Sequence, residues 1–245
     1  MTSFAAELLG TFLLLLLGNG VVANVLLTRT KGNGGGLIAI TTAWALAVFV
    51  GVTVAGPVSG AHLNPAVSLG LALAGKFAWA EVPSYVLAQL IGAALGSGCM
   101  WLMYRSHFEI TDDRDAKLAV FATGPSIRGA LSNLFSEAVG TFVLLIAVFY
   151  IAGPELTAEG ITVTKVGLGT VGALPIALVV WVIGLSLGGT TGYAINPARD
   201  LMPRLMHTLL PIKDKRDSDW SYAWIPVVGP CVGAALAAGL FMALS

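Results

Sequence analysis

Long apolar runs separated by short polar connections dominate this chain. A helix needs about 20 apolar residues to cross the hydrocarbon core of a bilayer. Six runs approach or exceed that length: roughly 4–27, 37–56, 82–104, 129–151, 170–188 and 222–244. Charged, polar or glycine-rich stretches separate them, as at 28–36, 105–128 and 212–221. The pattern predicts an all-α membrane protein with six transmembrane helices.

Two stretches, Gly32–Gly75 and Val166–Ala198, contain no formal charge, and the first is too long to be a single span. The first has a Gly56-Pro57 dipeptide that predicts a break. The part that follows, from Pro65 to about residue 74, would form a helix of about 15 Å, half the hydrocarbon thickness. The segment from Pro197 to about residue 207 has a similar length. We therefore predict two re-entrant half-helices that enter from opposite faces and meet end to end.

The two halves of the chain resemble each other. The segment Ala6–Phe12 (AELLGTF) matches Ser136–Phe142 (SEAVGTF). The tripeptide Asn-Pro-Ala occurs twice, as Asn64, Pro65 and Ala66 and as Asn196, Pro197 and Ala198. Because each half has an odd number of spans, the second must enter the membrane from the opposite side. We predict one channel domain over 1–245, an inverted repeat of about 4–104 and about 129–244.

Composition excludes several classes of protein. Of the 245 residues, 56% are hydrophobic and 11% charged, against about 25% charged in soluble domains. The formal net charge is zero, so no nucleic-acid partner is indicated. Cys99 and Cys231 lie in apolar runs, and no Cys/His cluster or nucleophile–base pair is evident. We therefore expect no metal, no cofactor and no enzymatic activity. Because Met1-Thr2-Ser3 lacks the basic region of a signal peptide, we expect the first run to be retained.

The Asn-Pro motif makes a functional site at the midplane. Asparagine is a favourable N-cap, and proline suits the first helical position. Both half-helices would direct dipole ends of about +0.5 charge at the centre. The amide groups of Asn64 and Asn196 would be hydrogen-bond donors there. Such a pore repels cations, orients a passing oxygen and interrupts a proton wire.

With these motifs, the chain resembles the aquaporin (major intrinsic protein) family over about residues 4–244. The resemblance implies six tilted helices and two half-helices around one pore per subunit, in a homotetramer within the bilayer of the cell membrane. Both termini would be cytoplasmic. Only Lys76 and Lys165 of the 13 basic residues would then be cytoplasmic, whereas the positive-inside rule favours the opposite orientation. The Asp200 that follows Arg199 resembles the glycerol facilitator (aquaglyceroporin) branch.

The resemblance also implies a selectivity filter, carried over by its offsets from the two motifs as Trp44, Gly184, Tyr193 and Arg199. Water-selective members typically have Phe and His in place of Trp44 and Gly184. Tyr193 is a departure, because glycerol facilitators commonly have Phe. Arg199 offers a rigid fork of donors, and the aromatic rings offer apolar faces to a carbon backbone. We expect Gly184 to widen the constriction and the Tyr193 hydroxyl to make it more polar.

Four further polar residues have predicted supporting roles. Glu7 and Glu137 are the only carboxylates in the predicted spans, where ionisable residues usually face the interior and have a partner. The resemblance implies that they hold the loops leading into the half-helices; a proton-coupling role is the alternative. We expect His62 to fix its loop, with pH gating as the alternative, and Asp200 to brace the second half-helix.

The sequence thus predicts a passive channel for small uncharged solutes, chiefly glycerol with accompanying water. A broader pore for hydrogen peroxide, dihydroxyacetone, urea or protonated lactic acid is one alternative. A secondary transporter is another, because such proteins also use inverted repeats and broken helices. A transporter would need a coupling site at the midplane.

Overall fold

The computed structural model describes residues 1–153, 155–158, 161–165 and 167–245. The helices are α1 (Ser3–Leu26), α2 (Gly36–Ser59), α3 (Pro65–Leu73), α4 (Val82–Ile110), α5 (Arg114–Ala119), α6 (Ala130–Tyr150), α7 (Leu174–Leu187), α8 (Pro197–Leu209) and α9 (Ile225–Leu244). Within the described residues, six segments that contain α1, α2, α4, α6, α7 and α9 are long and apolar enough to cross a membrane. The predicted six-span all-α class is confirmed.

The short helices α3 and α8 correspond to the predicted half-helices. Each begins with a proline directly after an asparagine N-cap, at Asn64 for α3 and Asn196 for α8. Their lengths of 9 and 13 residues are too short to cross a bilayer. Neither helix can cross the membrane alone. Their N-terminal ends lie close together inside the protein, where each asparagine bonds the loop that leads into the other helix.

The break predicted at Gly56-Pro57 is wrong in position. Helix α2 continues through Pro57 and ends at Gly60, which has a φ of 80°. A proline in the last turn removes one helical hydrogen bond without ending the helix. Gly60 takes the left-handed conformation that other residues avoid, and its N–H bonds the Gly56 carbonyl at 3.1 Å. The true turn signal is therefore the glycine after the proline.

Three short elements lie in connections for which no structure was predicted. Helix α5 is capped by Asp113, whose side chain accepts the Ala116 N–H at 2.9 Å. Strands β1 (Glu155–Ala158) and β2 (Ile161–Lys165) pair antiparallel. These elements were missed because a polar connection has no periodic apolar pattern over so few residues.

Glycines allow the helices of each half to pack closely. A β-carbon at Gly96 of α4 would lie 2.4 Å from the Phe12 carbonyl oxygen of α1. A β-carbon at Gly233 of α9 would lie 2.1 Å from the Ala138 carbonyl oxygen of α6. Only glycine permits either approach. The contact of Gly233 has its counterpart at Gly92 of α4, where a β-carbon would lie 2.3 Å from the carbonyl oxygen of Leu8, the residue that matches Ala138 in the first half. Both halves thus use a glycine at this helix crossing, which fits the predicted repeat.

Candidate pore and selectivity filter

A cavity of about 160 Å³ runs between the helices. The segments that lead into α3 and α8 both line it. Ala61 and Leu63 in the first segment, and Tyr193 and Ile195 in the second, have φ between 39° and 52°. Such left-handed backbone costs roughly 1–3 kcal/mol per non-glycine residue and persists only where its surroundings enforce it.

Glu7 holds the segment before α3 in its left-handed conformation. Its Oε1 accepts the His62 N–H at 2.9 Å, and its Oε2 accepts the Leu63 N–H at 2.7 Å. Ser59 Oγ and Gln89 Nε2 donate to the same carboxylate at 2.6 and 2.8 Å. The side chain is fully buried. The carboxylate therefore accepts two successive N–H groups of the loop and holds that backbone in place.

Glu137 occupies the equivalent place in the second half. Its Oε1 accepts the Ala194 N–H at 3.0 Å and the Thr191 hydroxyl at 2.7 Å. Its Oε2 accepts the Ile195 N–H at 2.8 Å. This side chain is also fully buried. Both sequence-predicted carboxylates therefore hold loop backbone, which is the geometry that the support interpretation requires.

The two asparagines join the half-helices across the midplane. Asn64 Nδ2 donates to the Ile195 carbonyl at 2.8 Å, and Asn196 Nδ2 donates to the Leu63 carbonyl at 2.9 Å. Their Oδ1 atoms cap their own helices, accepting the N–H of Ala66 at 2.8 Å and of Ala198 at 3.0 Å. An amide NH2 has two hydrogens. One is committed to the opposite loop, so each asparagine keeps one donor for the cavity that it lines.

Arg199, Trp44 and Tyr193 form the walls of the predicted filter, and all three line the cavity. The Arg199 guanidinium carbon lies 4.3 Å from the centroid of the Trp44 ring. This distance favours attraction between the cation and the π face. The guanidinium N–H groups and the aromatic rings therefore line the same cavity, which can offer donors to a hydroxyl and an apolar surface to a carbon chain.

Gly184 does not line the cavity, because the Tyr193 ring covers it. A β-carbon at Gly184 would lie 2.8 Å from Tyr193 Cζ, and one at Gly188 would lie 2.5 Å from Tyr193 Cδ1. Gly184 therefore accommodates the tyrosine in the wall and does not itself widen the opening. The Tyr193 hydroxyl is buried and has no hydrogen-bond partner among the described residues. In this structure Tyr193 thus offers the cavity its ring, and the effect of its hydroxyl on the polarity of the filter stays a prediction.

Asp200 connects α8 to the segment that follows α5. Its Oδ2 accepts the Thr123 N–H at 2.7 Å and the Thr123 hydroxyl at 2.6 Å. Its Oδ1 pairs with Arg204, and both side chains are fully buried. The neighbouring Phe121 carbonyl accepts from Arg199 Nη1 at 3.5 Å and from the Asn19 side chain at 3.2 Å. The segment held by Asp200 thus supplies an acceptor to the filter arginine.

Lys215 satisfies the outer end of α8. Its Nζ donates to the carbonyls of His207, Thr208 and Leu210 at 2.5, 2.7 and 2.8 Å. The last carbonyls of a helix have no partner within the helix and carry its negative dipole end. Burial lowers the pKa of Lys215 below its ordinary value. The cation therefore stabilises α8 at the end opposite Asn196.

His62 lines the cavity near the start of α3. Its Nδ1 lies 3.0 Å from Ser68 Oγ, and its ring centroid lies 4.5 Å from that of Phe77 and 4.8 Å from that of Tyr85. These contacts hold the imidazole on two sides. They fit a role in fixing the loop better than a side chain that swings into the path.

The sequence analysis did not single out several residues that complete this site. They include Gly18, Asn19, Ser59, Gln89, Phe121, Thr123 and Gly188. Asn19 and Gln89 are polar residues inside apolar runs, a signal that could have identified them. The backbone carbonyl of Phe121 leaves no such signal.

Comparison with known proteins agrees with this geometry. The sequence model of the family described as major intrinsic protein matches residues 1–241. A probable glycerol uptake facilitator protein of Thermotoga maritima is 52% identical over 241 residues, 98% of each chain. A D/L-lactic acid transporter of Lactiplantibacillus plantarum is 38% identical over 95% of this chain and 93% of that protein. The X-ray structure of the aquaglyceroporin from Plasmodium falciparum has a TM-score of 0.82 at 33% identity, covering 98% of this chain and 94% of that chain. This chain therefore belongs to the major intrinsic protein family and is a multi-pass integral protein of the cell membrane.

Proposed function

We propose that this protein is a passive channel for small uncharged solutes, with glycerol as its main solute and water passing with it. The observation that carries the proposal is the cavity wall in which Arg199 lies over the Trp44 ring and Tyr193 lines the same cavity. Donors on one side and aromatic faces on the other suit a polyol. Two relatives, a probable glycerol uptake facilitator protein and an aquaglyceroporin, agree with this solute.

The proposal includes the individual roles of the site residues. Trp44, Tyr193 and Arg199 select the solute, and Gly184 accommodates Tyr193. Asn64 and Asn196, the first residues of the two Asn-Pro-Ala motifs, join the two loops at the midplane and donate to the passing solute. Glu7, Glu137, His62 and Asp200 keep the loops in place. We further propose that two inverted repeats build each pore and that four copies assemble in the bilayer.

Transport is uncoupled in this proposal. Coupling needs an ionisable group that can exchange a proton or an ion with the path. Glu7 and Glu137 are fully buried, and their oxygens accept loop N–H groups. Among the described residues that line the cavity, none is acidic. This arrangement favours a channel over a secondary transporter.

Flux through reconstituted protein should therefore rise almost linearly with solute concentration and depend weakly on temperature. Stopped-flow light scattering on proteoliposomes measures both, with empty liposomes as the control. A panel of glycerol, water, urea, dihydroxyacetone and lactic acid at low pH ranks the solutes. Saturation at low millimolar glycerol, or dependence on a proton or sodium gradient, would contradict the proposal. The lactic acid arm tests the alternative that the relative from Lactiplantibacillus plantarum suggests.

Substituting Gly184 by alanine should narrow the pore through Tyr193. The new methyl group would overlap the Tyr193 ring, which must move away from α7. We expect a several-fold loss of glycerol flux and a smaller loss of water flux in the same liposomes. Tyr193→Phe is the matched control, because the buried hydroxyl that it removes has no partner among the described residues. Equal glycerol flux in Gly184→Ala and the unmodified protein would show that Tyr193 has room to retreat elsewhere.

A further inference from the structure

Gly18 of α1 lies directly behind the tryptophan of the filter. A β-carbon at Gly18 would lie 2.3, 2.4 and 2.5 Å from Trp44 Cζ3, Cη2 and Cε3. Three adjacent ring carbons at nearly equal distances mean that the α1 backbone covers the face of the indole, not its edge. Leu14, one helical turn earlier on the same face of α1, lines the cavity. The indole therefore occupies the space on α1 that a side chain at position 18 would take.

Any side chain at Gly18 must displace the indole. Carbon atoms in contact lie about 3.5–4.0 Å apart, so a methyl group would move the ring by about 1 Å or more. The Trp44 side chain is 5% exposed and closely surrounded. Away from α1, the ring borders the cavity and the Arg199 guanidinium. The displaced ring therefore moves into the cavity.

We propose that Gly18 is a specificity-determining position that acts through Trp44: its missing side chain holds the indole back and so sets the width of the filter. Gly18 itself does not line the cavity. This inference builds on the proposed function, because it explains how the pore keeps the width that a three-carbon polyol needs.

The first test is Gly18→Ala in proteoliposomes, with glycerol and water permeabilities measured on the same preparation. We expect the ratio of glycerol to water permeability to fall about tenfold, which corresponds to about 1.4 kcal/mol in the barrier. Gly20→Ala is the matched control. It adds the same methyl group to the same helix, where no atom lies within 4 Å of the new carbon, and should leave the ratio unchanged.

The second test is rescue by a smaller ring. The three carbons that crowd Gly18 are Cζ3, Cη2 and Cε3, the outer carbons of the indole. A phenylalanine ring is smaller and does not extend to these positions. In the Trp44→Phe background, Gly18→Ala should therefore change the permeability ratio by less than about twofold. A general loosening of α1 would instead lower transport in both backgrounds. A similar loss in the two backgrounds, or an unchanged ratio in Gly18→Ala alone, overturns the inference.

A third measurement separates this inference from the proposed function. Experimental structures of the unmodified protein and of Gly18→Ala should differ by about 1 Å in the position of the indole. An indole that has not moved overturns the inference, whatever the solute. If the unmodified protein fails to conduct glycerol, the proposed function fails. The effect of Gly18→Ala is then measured as the change in permeability of the largest solute that the unmodified protein does conduct.

Discussion

Replacing Glu137 by alanine is expected to destabilise the protein and abolish conduction. The substitution leaves the N–H groups of Ala194 and Ile195 without an acceptor. A buried donor without a partner costs about 1–3 kcal/mol, so the two together cost about 2–6 kcal/mol. The left-handed conformation at Tyr193 and Ile195 then loses two of the hydrogen bonds that hold it and keeps the bond from Asn64 to the Ile195 carbonyl. Since Tyr193 is part of the filter, the pore should lose its shape together with its stability.

The measurement is the unfolding temperature in detergent, followed by glycerol and water flux of the fraction that reconstitutes. Glu137→Gln should have an intermediate effect, because an amide oxygen can still accept on one side. Glu109→Ala is the control, since among the described residues that exposed carboxylate pairs only with Arg105 on the same helix. If Glu137→Ala unfolds at the temperature of the unmodified protein and still conducts, the carboxylate does not hold the loop.

Replacing Arg199 by valine is expected to open a leak for cations. A unit charge about 5 Å from a passing cation, at an effective dielectric constant of ~20, raises its energy by about 3 kcal/mol, so cation permeability should rise about a hundredfold. The base level is very low, so the current stays small beside the flux of neutral solutes. The positive ends of α3 and α8 remain, and together they equal about one charge.

The two barriers are separated by adding Asn64→Gly and Asn196→Gly to Arg199→Val. Glycine keeps the helix N-caps at a cost of only a few tenths of a kcal/mol, while the donors and the bonds between the loops are lost. We expect a larger current in the triple variant. Voltage clamp of expressing cells, corrected for surface expression, measures it, and Arg105→Val is the control outside the filter. A current in Arg199→Val as large as that of the triple variant would assign the whole barrier to the filter.

The conflict between the predicted orientation and the positive-inside rule has a structural explanation. Arg204 and Lys117 are fully or almost fully buried. Arg204 pairs with Asp200, and Lys117 Nζ donates to the Lys213 carbonyl at 2.6 Å. Arg128 pairs with Asp219. These residues hold the outer segments together, so they carry less topological information than free loop charges would. The cytoplasmic placement of both termini remains a prediction.

Much of the architecture could be predicted from the sequence because its determinants are local. Six apolar runs of sufficient length predict six spans whatever packs around them. An asparagine followed by proline predicts a helix start, and α3 and α8 begin there. The filter positions followed from the family resemblance and the distances to the two motifs. Trp44, Tyr193 and Arg199 do line one cavity.

What only the tertiary structure decided depends on residues that are distant in the chain. From the sequence, the missing side chain of Gly184 is expected to widen the pore, yet the Tyr193 ring fills that space. The Tyr193 hydroxyl appears as a polar contribution, yet the fold buries it without a partner among the described residues. Gly18 looks like one small residue among many until Trp44 packs against it. Sequence alone determines which residues can span the bilayer or begin a half-helix, because hydropathy and backbone preference are properties of short segments. The width and polarity of the pore are set where side chains from different helices compete for the same space.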